Sequence, residues 1–283
     1  MAVLRQFAKR IEHLEALDAV ARPVAGLVGR AVRPRLLRNL LSGTNLGHPL
    51  HPPLTDVPIG AWTMAVLLDT AGGRRAQPAA DLLVAAGIAA AVPTAVTGLN
   101  DWSDTRGSEQ RVGVVHAGAN TVALGLYTAS LVARRTGRRG LGKALALAGL
   151  GALTVGAYLG GHLGYVRGVN VNHTAFEERA PEWIPVLADS ELAEGEPRKV
   201  QAGENSVLLH RDGGAVRALS STCSHLGGPL EEGEFHGGQV TCPWHGSTFD
   251  LADGSVFRGP ASSPQPCYDT RVVNGQIEVR ARP

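Results

Sequence analysis

Four side chains set the strictest condition on this chain. Cys223 and His225 stand as C-x-H, Cys242 and His245 as C-x-x-H, with sixteen residues between His225 and Cys242. Any fold must therefore bring two short loops together, each offering one thiolate and one imidazole. The stretch Thr222–Asp250 that carries them is polar and rich in Gly and Pro, unlike a packing strand or a helix. Two chemistries use such a donor set. A mixed iron–sulfur centre takes two thiolates on one iron and two imidazoles on the other; tetrahedral zinc takes all four on one ion. Ordinary buried cysteines beside satisfied histidines are the third reading.

The rest of the chain is sharply divided. Its 283 residues admit one large or two ordinary domains. Residues 1–50 carry eight Lys/Arg against three acids, whereas residues 190–283 carry twelve acids against eight bases. A net charge of +2 thus describes neither end, and no basic patch interleaved with aromatics suggests nucleic acid. Of the three cysteines only Cys267 lies outside the pairs, so no disulfide framework is expected.

Residues 1–45 read as an amphipathic helical segment, with Leu4, Phe7, Ile11, Leu14 and Leu17 at helical spacing and a break expected at Pro23. Basic residues scattered through it argue against a signal peptide. Such a helix lies in the headgroup layer of a membrane or packs on the rest of the protein. The proline-dense run GHPLHPPLTDVPIGAW then predicts an ordered loop. Four apolar stretches follow within residues 46–165, at Val57–Leu68, Ala79–Leu99, Val112–Val132 and Leu145–Tyr165. A span needs roughly 20 mostly apolar residues, so a four-helix transmembrane bundle is expected in preference to a buried soluble one. Arg-rich first and third connections favour those ends in the cytoplasm, against which the basic amino-terminal segment counts. Residues 166–189 read as a linker. Residues 190–283 read as a small all-β domain, with strands at Ser206–His210 and Ala215–Leu219 and a hairpin through Asn274-Gly275.

The runs C-S-H-L-G-G-P-L and C-P-W-H-G-S-T-F-D resemble the Rieske [2Fe–2S] domain. The resemblance implies that Cys223, His225, Cys242 and His245 hold a [2Fe–2S] cluster at the tip of a small sheet, and it favours the cluster over zinc. It also implies that Gly227, Gly228 and Gly246 let backbone N–H groups approach the sulfurs, which tunes the potential. Quinol-oxidising members carry a bridged cysteine in each loop; here those positions hold Gly228 and Trp244. Their tyrosine donor to a ligand sulfur matches Phe249, while Ser247 is kept. Both departures resemble the ferredoxin-like branch, of lower potential. The proline-dense run, GLNDW and GGHLGY resemble a bacterial membrane domain of uncharacterised function, often joined to a Rieske domain.

Counting spans places His48, His51, Asp101, His116 and His162 at one membrane face. They read as a structural hydrogen-bond network, as a haem b or metal site through His116 and His162, or as a quinone-head pocket. The combined expectation is a multi-pass cell-membrane protein that passes single electrons from a quinol or cytochrome donor to a redox protein acceptor, its cluster domain assigned to the cytoplasm. Supplying a separate oxygenase, or sensing redox state, is the alternative. No histidine follows Asp250, so a catalytic mononuclear iron is not expected in this chain.

Overall fold

The computed structural model describes residues 2–282. It divides into two units: one takes the chain as far as Arg33 and again from Leu50 to Val169, the other Pro34–Pro49 and the chain from Asn170 onward. The expected helical region and β-domain are both present, but the boundary of the amino-terminal segment is not where periodicity placed it.

The first unit is helical. Helices α1 (Ala2–Glu12) and α2 (Asp18–Ala31) precede it, and α4 (His51–Ala71), α5 (Gln77–Trp102), α6 (Gly107–Arg135) and α7 (Arg139–Gly161) form its body. Pro23 does not break α2; the break falls at Glu15–Leu17. The proline-dense run is not a loop throughout, because α4 opens with prolines in its first turn, where the missing N–H has no partner to lose, and continues past Pro58. Among the described residues two helices, Arg74–Trp102 and Arg139–Val166, are long and apolar enough to cross a membrane. The other two fall short because α4 carries Asp56 among its prolines and α6 carries Gln110, Arg111, His116 and Asn120 in its first half.

Aromatic rings and the glycines that admit them hold the middle of this unit. Trp62 of α4 and Tyr127 of α6 stack at 4.3 Å between ring centroids. A Cβ at Gly87 of α5 would lie 2.3 Å from the Trp62 indole, and one at Gly149 of α7 would lie 2.9 Å from Tyr127. At one end, buried Arg134 binds Asp69 and Asp81, and Arg139 reaches Asp81 at 3.0 Å. Removing one member of such a network leaves buried charge uncompensated. At the other end α1 and α2 dock through Arg111 to Asp18 at 2.7 Å and His162 to Glu12 at 2.8 Å. The amphipathic segment up to Arg33 therefore packs on the bundle, burying Ala8, Ile11, Ala21 and Ala25.

The second unit is β-rich. Ten strands are β1 (Ile184–Ala188), β2 (Pro197–Ala202), β3 (Asn205–Asp212), β4 (Ala215–Ser220), β5 (Glu234–His236), β6 (Gln239–Thr241), β7 (Thr248–Asp250), β8 (Val256–Arg258), β9 (Cys267–Val273) and β10 (Gln276–Ala281). They build an antiparallel sheet β1-β10-β9-β4-β3-β2 and a smaller sheet β5-β6-β7-β8. Alternation along β3 sends Leu208 to a core shared with the ligand loops and Leu209 to a core on the opposite face. Three two-residue turns, Gly213-Gly214, Gly237-Gly238 and Asn274-Gly275, have positive φ at both positions, as tight hairpins require. The expected linker is shorter than foreseen, since β1 pairs with β10. Helix α3 (Arg35–Ser42) belongs to this unit, not to the bundle.

Gly254 turns the chain after β7 at φ +70, and a Cβ there would lie 2.0 Å from the Gln265 carbonyl oxygen. Gly254→Ala is expected to cost about 2 kcal/mol or more through backbone strain and displacement of Gln265. Thermal unfolding of the full chain in detergent measures it.

Candidate functional site

The four ligand candidates sit on two loops of matching backbone design. In the first, between β4 and β5, the Cys223 N–H donates to Gly228 O at 2.8 Å and the Gly227 N–H donates back to Cys223 O at 2.9 Å. In the second, between β6 and β7, Cys242 N–H donates to Ser247 O at 2.8 Å and Gly246 N–H to Cys242 O at 3.0 Å. Both Gly227 and Gly246 stand at φ +74, a left-handed conformation that glycine adopts without strain. The Cys–Gly spacing is thus identical in the two loops; only the histidine is offset by one position.

This frame aims backbone amides at sulfur. The N–H groups of His225 and Leu226 donate to Cys223, and those of Trp244 and His245 donate to Cys242. The glycines therefore close the loops, while the residues just after each cysteine supply the donors. The two thiols hydrogen-bond to each other. That bond, with burial, pushes Cys223 far up. The same bond and the amides of Trp244 and His245 hold Cys242 down at about 7, against burial. His225 is buried and held well below the usual imidazole range by desolvation and by the charges of His245, Arg38 and His173. The imidazoles of His225 and His245 stand 5.2 Å apart between centroids and nearly perpendicular.

Two facing sulfurs, each cradled by two amides, with two imidazoles beside them, fit a [2Fe–2S] cluster held by Cys223 and Cys242 on one iron and His225 and His245 on the other. Such a cluster accepts and releases one electron. Among the described residues no group of three or more His, Cys, Asp or Glu is arranged for a single metal ion.

Gly228 and Trp244, where a disulfide would bridge the loops in the resemblance, are in contact by other means. A Cβ on Gly228 would lie 3.2 Å from the Trp244 ring and 2.7 Å from Cys242 Sγ. The indole lies against the bare backbone of the opposite loop. Phe249 is fully buried in the core that includes Cys223 and Cys242. Ser247 is also fully buried, and its Oγ accepts the Ala261 N–H at 3.0 Å, leaving its hydroxyl hydrogen for another acceptor.

Sequence reasoning missed three supports. Buried Gln265 accepts the Ser224 N–H at 3.0 Å and donates to Ser220 O at 2.9 Å and to Thr222 O, so one amide spans the first loop. Arg258 donates to Gly246 O at 2.8 Å in the second. His173, in the supposed linker, donates its N–H to Ser224 O at 3.0 Å. Nothing in SSPQPC or VFRGP marks these roles, because each depends on a contact far along the chain.

The four histidines and the aspartate expected at one membrane face hydrogen-bond to different partners. His48 is exposed and belongs to the second unit. His51 Nδ1 donates to Thr94 O at 2.9 Å and His116 Nδ1 to Gly156 O at 2.8 Å. His162 Nε2 is taken by Glu12, and Asp101 accepts from Asn100 at 2.9 Å. His162 is engaged with Glu12 and no group of three or more potential ligands occurs among the described residues, so nothing here supports the expected haem b site.

Residues 182–269 match the Rieske [2Fe-2S] domain family, and residues 47–173 match a family described as predicted membrane protein (DUF2231). The chain is 35% identical over 103 residues to the anthranilate 1,2-dioxygenase ferredoxin subunit of Burkholderia cepacia, covering 36% of this chain and 95% of that one. It is 30% identical over 129 residues to apoptosis-inducing factor 3 of Mus musculus, covering 42% of this chain but only 21% of that relative's length. Among solved structures, the ferredoxin of carbazole 1,9a-dioxygenase from Nocardioides aromaticivorans IC177 is 30% identical, with 35% of this chain and 98% of that chain covered at a TM-score of 0.34.

Two outcomes follow from the site. Phe249→Tyr is expected to raise the midpoint potential and Ser247→Ala to lower it, because hydrogen bonds to cluster sulfur stabilise the reduced state; a redox titration of each variant checks the sign. Gln265→Ala strands three buried backbone groups at about 1–3 kcal/mol each, and is expected to reduce iron and sulfide content measured on purified protein.

Proposed function

The chain belongs to the Rieske [2Fe–2S] family, and from that premise we propose that it is a membrane-anchored one-electron carrier that serves an oxygenase-type redox partner. The observation that carries this reading is the pair of matching Cys/His loops, each with its own amide cradle, lacking the bridging cysteines of the quinol-oxidising type. The ferredoxin components among its relatives support the same direction. A quinol or cytochrome donor, the first expectation from sequence, has less support than this alternative. An oxygenase within the chain has none, since it needs two histidines and a carboxylate on one iron.

Anchoring rests on the helical unit. We read all four of α4–α7 as spans: apolar side chains such as Leu67, Leu82, Val122 and Leu147 are exposed on every one of them, while rings and glycines fill the interior. An exterior more apolar than a soluble protein tolerates suits lipid. The cluster domain is assigned to the cytoplasmic side, where unbridged cysteines are usual. A cysteine added at the carboxyl terminus is expected to resist impermeant reagent in intact cells; labelling would reverse the sidedness.

One observation favours a second reading, electron delivery by quinol. With Nδ1 of His51 and of His116 donating to backbone carbonyls, each neutral ring keeps its lone pair on Nε2, and Gly98 and Gly160 leave room for the two rings. The His116 Nε2 already receives Asn120 at 3.2 Å.

Reduction kinetics of the full chain in detergent separate the readings. The flavin reductase of a dioxygenase system with NADH is expected to reduce the cluster faster than decyl-ubiquinol, and the reduced protein to pass its electron to a terminal oxygenase. Fast quinol reduction that is lost in His51→Ala and His116→Ala, with the cluster spectrum intact, would replace the first reading by the second.

A further inference from the structure

Residues 34–49 lie far outside residues 182–269, which match the Rieske family, yet they are built into the β unit. Asn39 makes a paired contact with the backbone after β8: its Oδ1 accepts the Gly259 N–H at 2.8 Å and its Nδ2 donates to Phe257 O at 3.1 Å. Thr44 Oγ1 donates to Ala261 O at 2.9 Å. The Arg35 guanidinium lies 4.2 Å over the Phe257 ring. The approach is close, for a Cβ at Gly259 would stand 2.9 Å from Thr44 Oγ1.

The backbone gripped in this way is the one that holds the second ligand loop. Arg258 donates to Gly246 O at 2.8 Å, and the Ala261 N–H donates to Ser247 Oγ at 3.0 Å. An unbroken series of bonds therefore runs from Asn39 and Thr44 through residues 257–261 to the turn that closes around Cys242. One short segment, from a distant part of the chain, thus touches the supports of the second loop.

We propose that residues 34–49 are a working part of the cluster site: a strap that braces the second ligand loop, which no disulfide holds, through residues 257–261. The inference rests on the Rieske reading. The strap also explains why Gly259 must lack a side chain, which the cluster motif alone does not.

The test uses the full chain in detergent, with cluster loading quantified. Asn39→Ala is expected to speed hydrogen exchange at residues 246–247 and 257–261. Unchanged exchange in Asn39→Ala would overturn the strap. If Asn39→Ala does not accumulate, Thr44→Val decides by the same exchange measurement. Wild-type protein that holds zinc and no cluster would overturn the functional reading itself, while the exchange measurement would still judge the strap.

Discussion

The site depends on one repeated hydrogen-bonded frame: the cysteine N–H donates to the carbonyl five residues on, and the glycine four residues on donates back to the cysteine carbonyl. This closes each loop tightly enough that the N–H groups two and three residues on converge on the sulfur. Partial positive charge from four amides is what makes two neighbouring thiolates tolerable in a buried place. Glycine at φ +74 is the one residue type that closes the frame without strain. The offset of the histidine, two residues on in the first loop and three in the second, then brings the two imidazoles together from different directions.

Such loops do not hold themselves. Each is short, polar and unbridged, so its shape is fixed by groups that reach it from elsewhere. Gln265 spans the first loop, Arg258 and Ala261 brace the second, and the Trp244 indole on bare Gly228 joins them. Unsatisfied buried polar groups are expensive, which makes these contacts cooperative with the frame. Phe249, packed in the core with both cysteines, ties the second loop to the apolar interior. The helical unit follows a different rule: its order comes from rings seated against glycines and from an ionic cluster at one end, with apolar side chains left outside.

Much of this was legible in the sequence, and the remainder has physical reasons for being hidden. The two Cys/His pairs, the β-domain and its Asn274-Gly275 hairpin, and four successive helices could be read from spacing and turn chemistry, which are local. Pro52 and Pro53 misled because prolines in the first turn of a helix cost little. Pro58 and Pro23 lie inside α4 and α2, and both helices continue through them. Residues 34–49 looked like the tail of an amphipathic helix; their partners, Phe257, Gly259 and Ala261, lie more than two hundred positions away. His162 was hidden for a related reason. Span counting fixes depth but not azimuth, and His162 turned to Glu12 of the docked amino-terminal helix.

The measurement that tests the account most directly is the low-temperature EPR spectrum of the anaerobically purified, dithionite-reduced full chain, with iron, inorganic sulfide and zinc quantified on the same sample. The account predicts two irons and two sulfides per chain and the anisotropic signal of a mixed-ligand [2Fe–2S] centre, lost in Cys242→Ser and in His245→Ala. One zinc per chain, with neither iron nor sulfide and no signal after reduction, would contradict it.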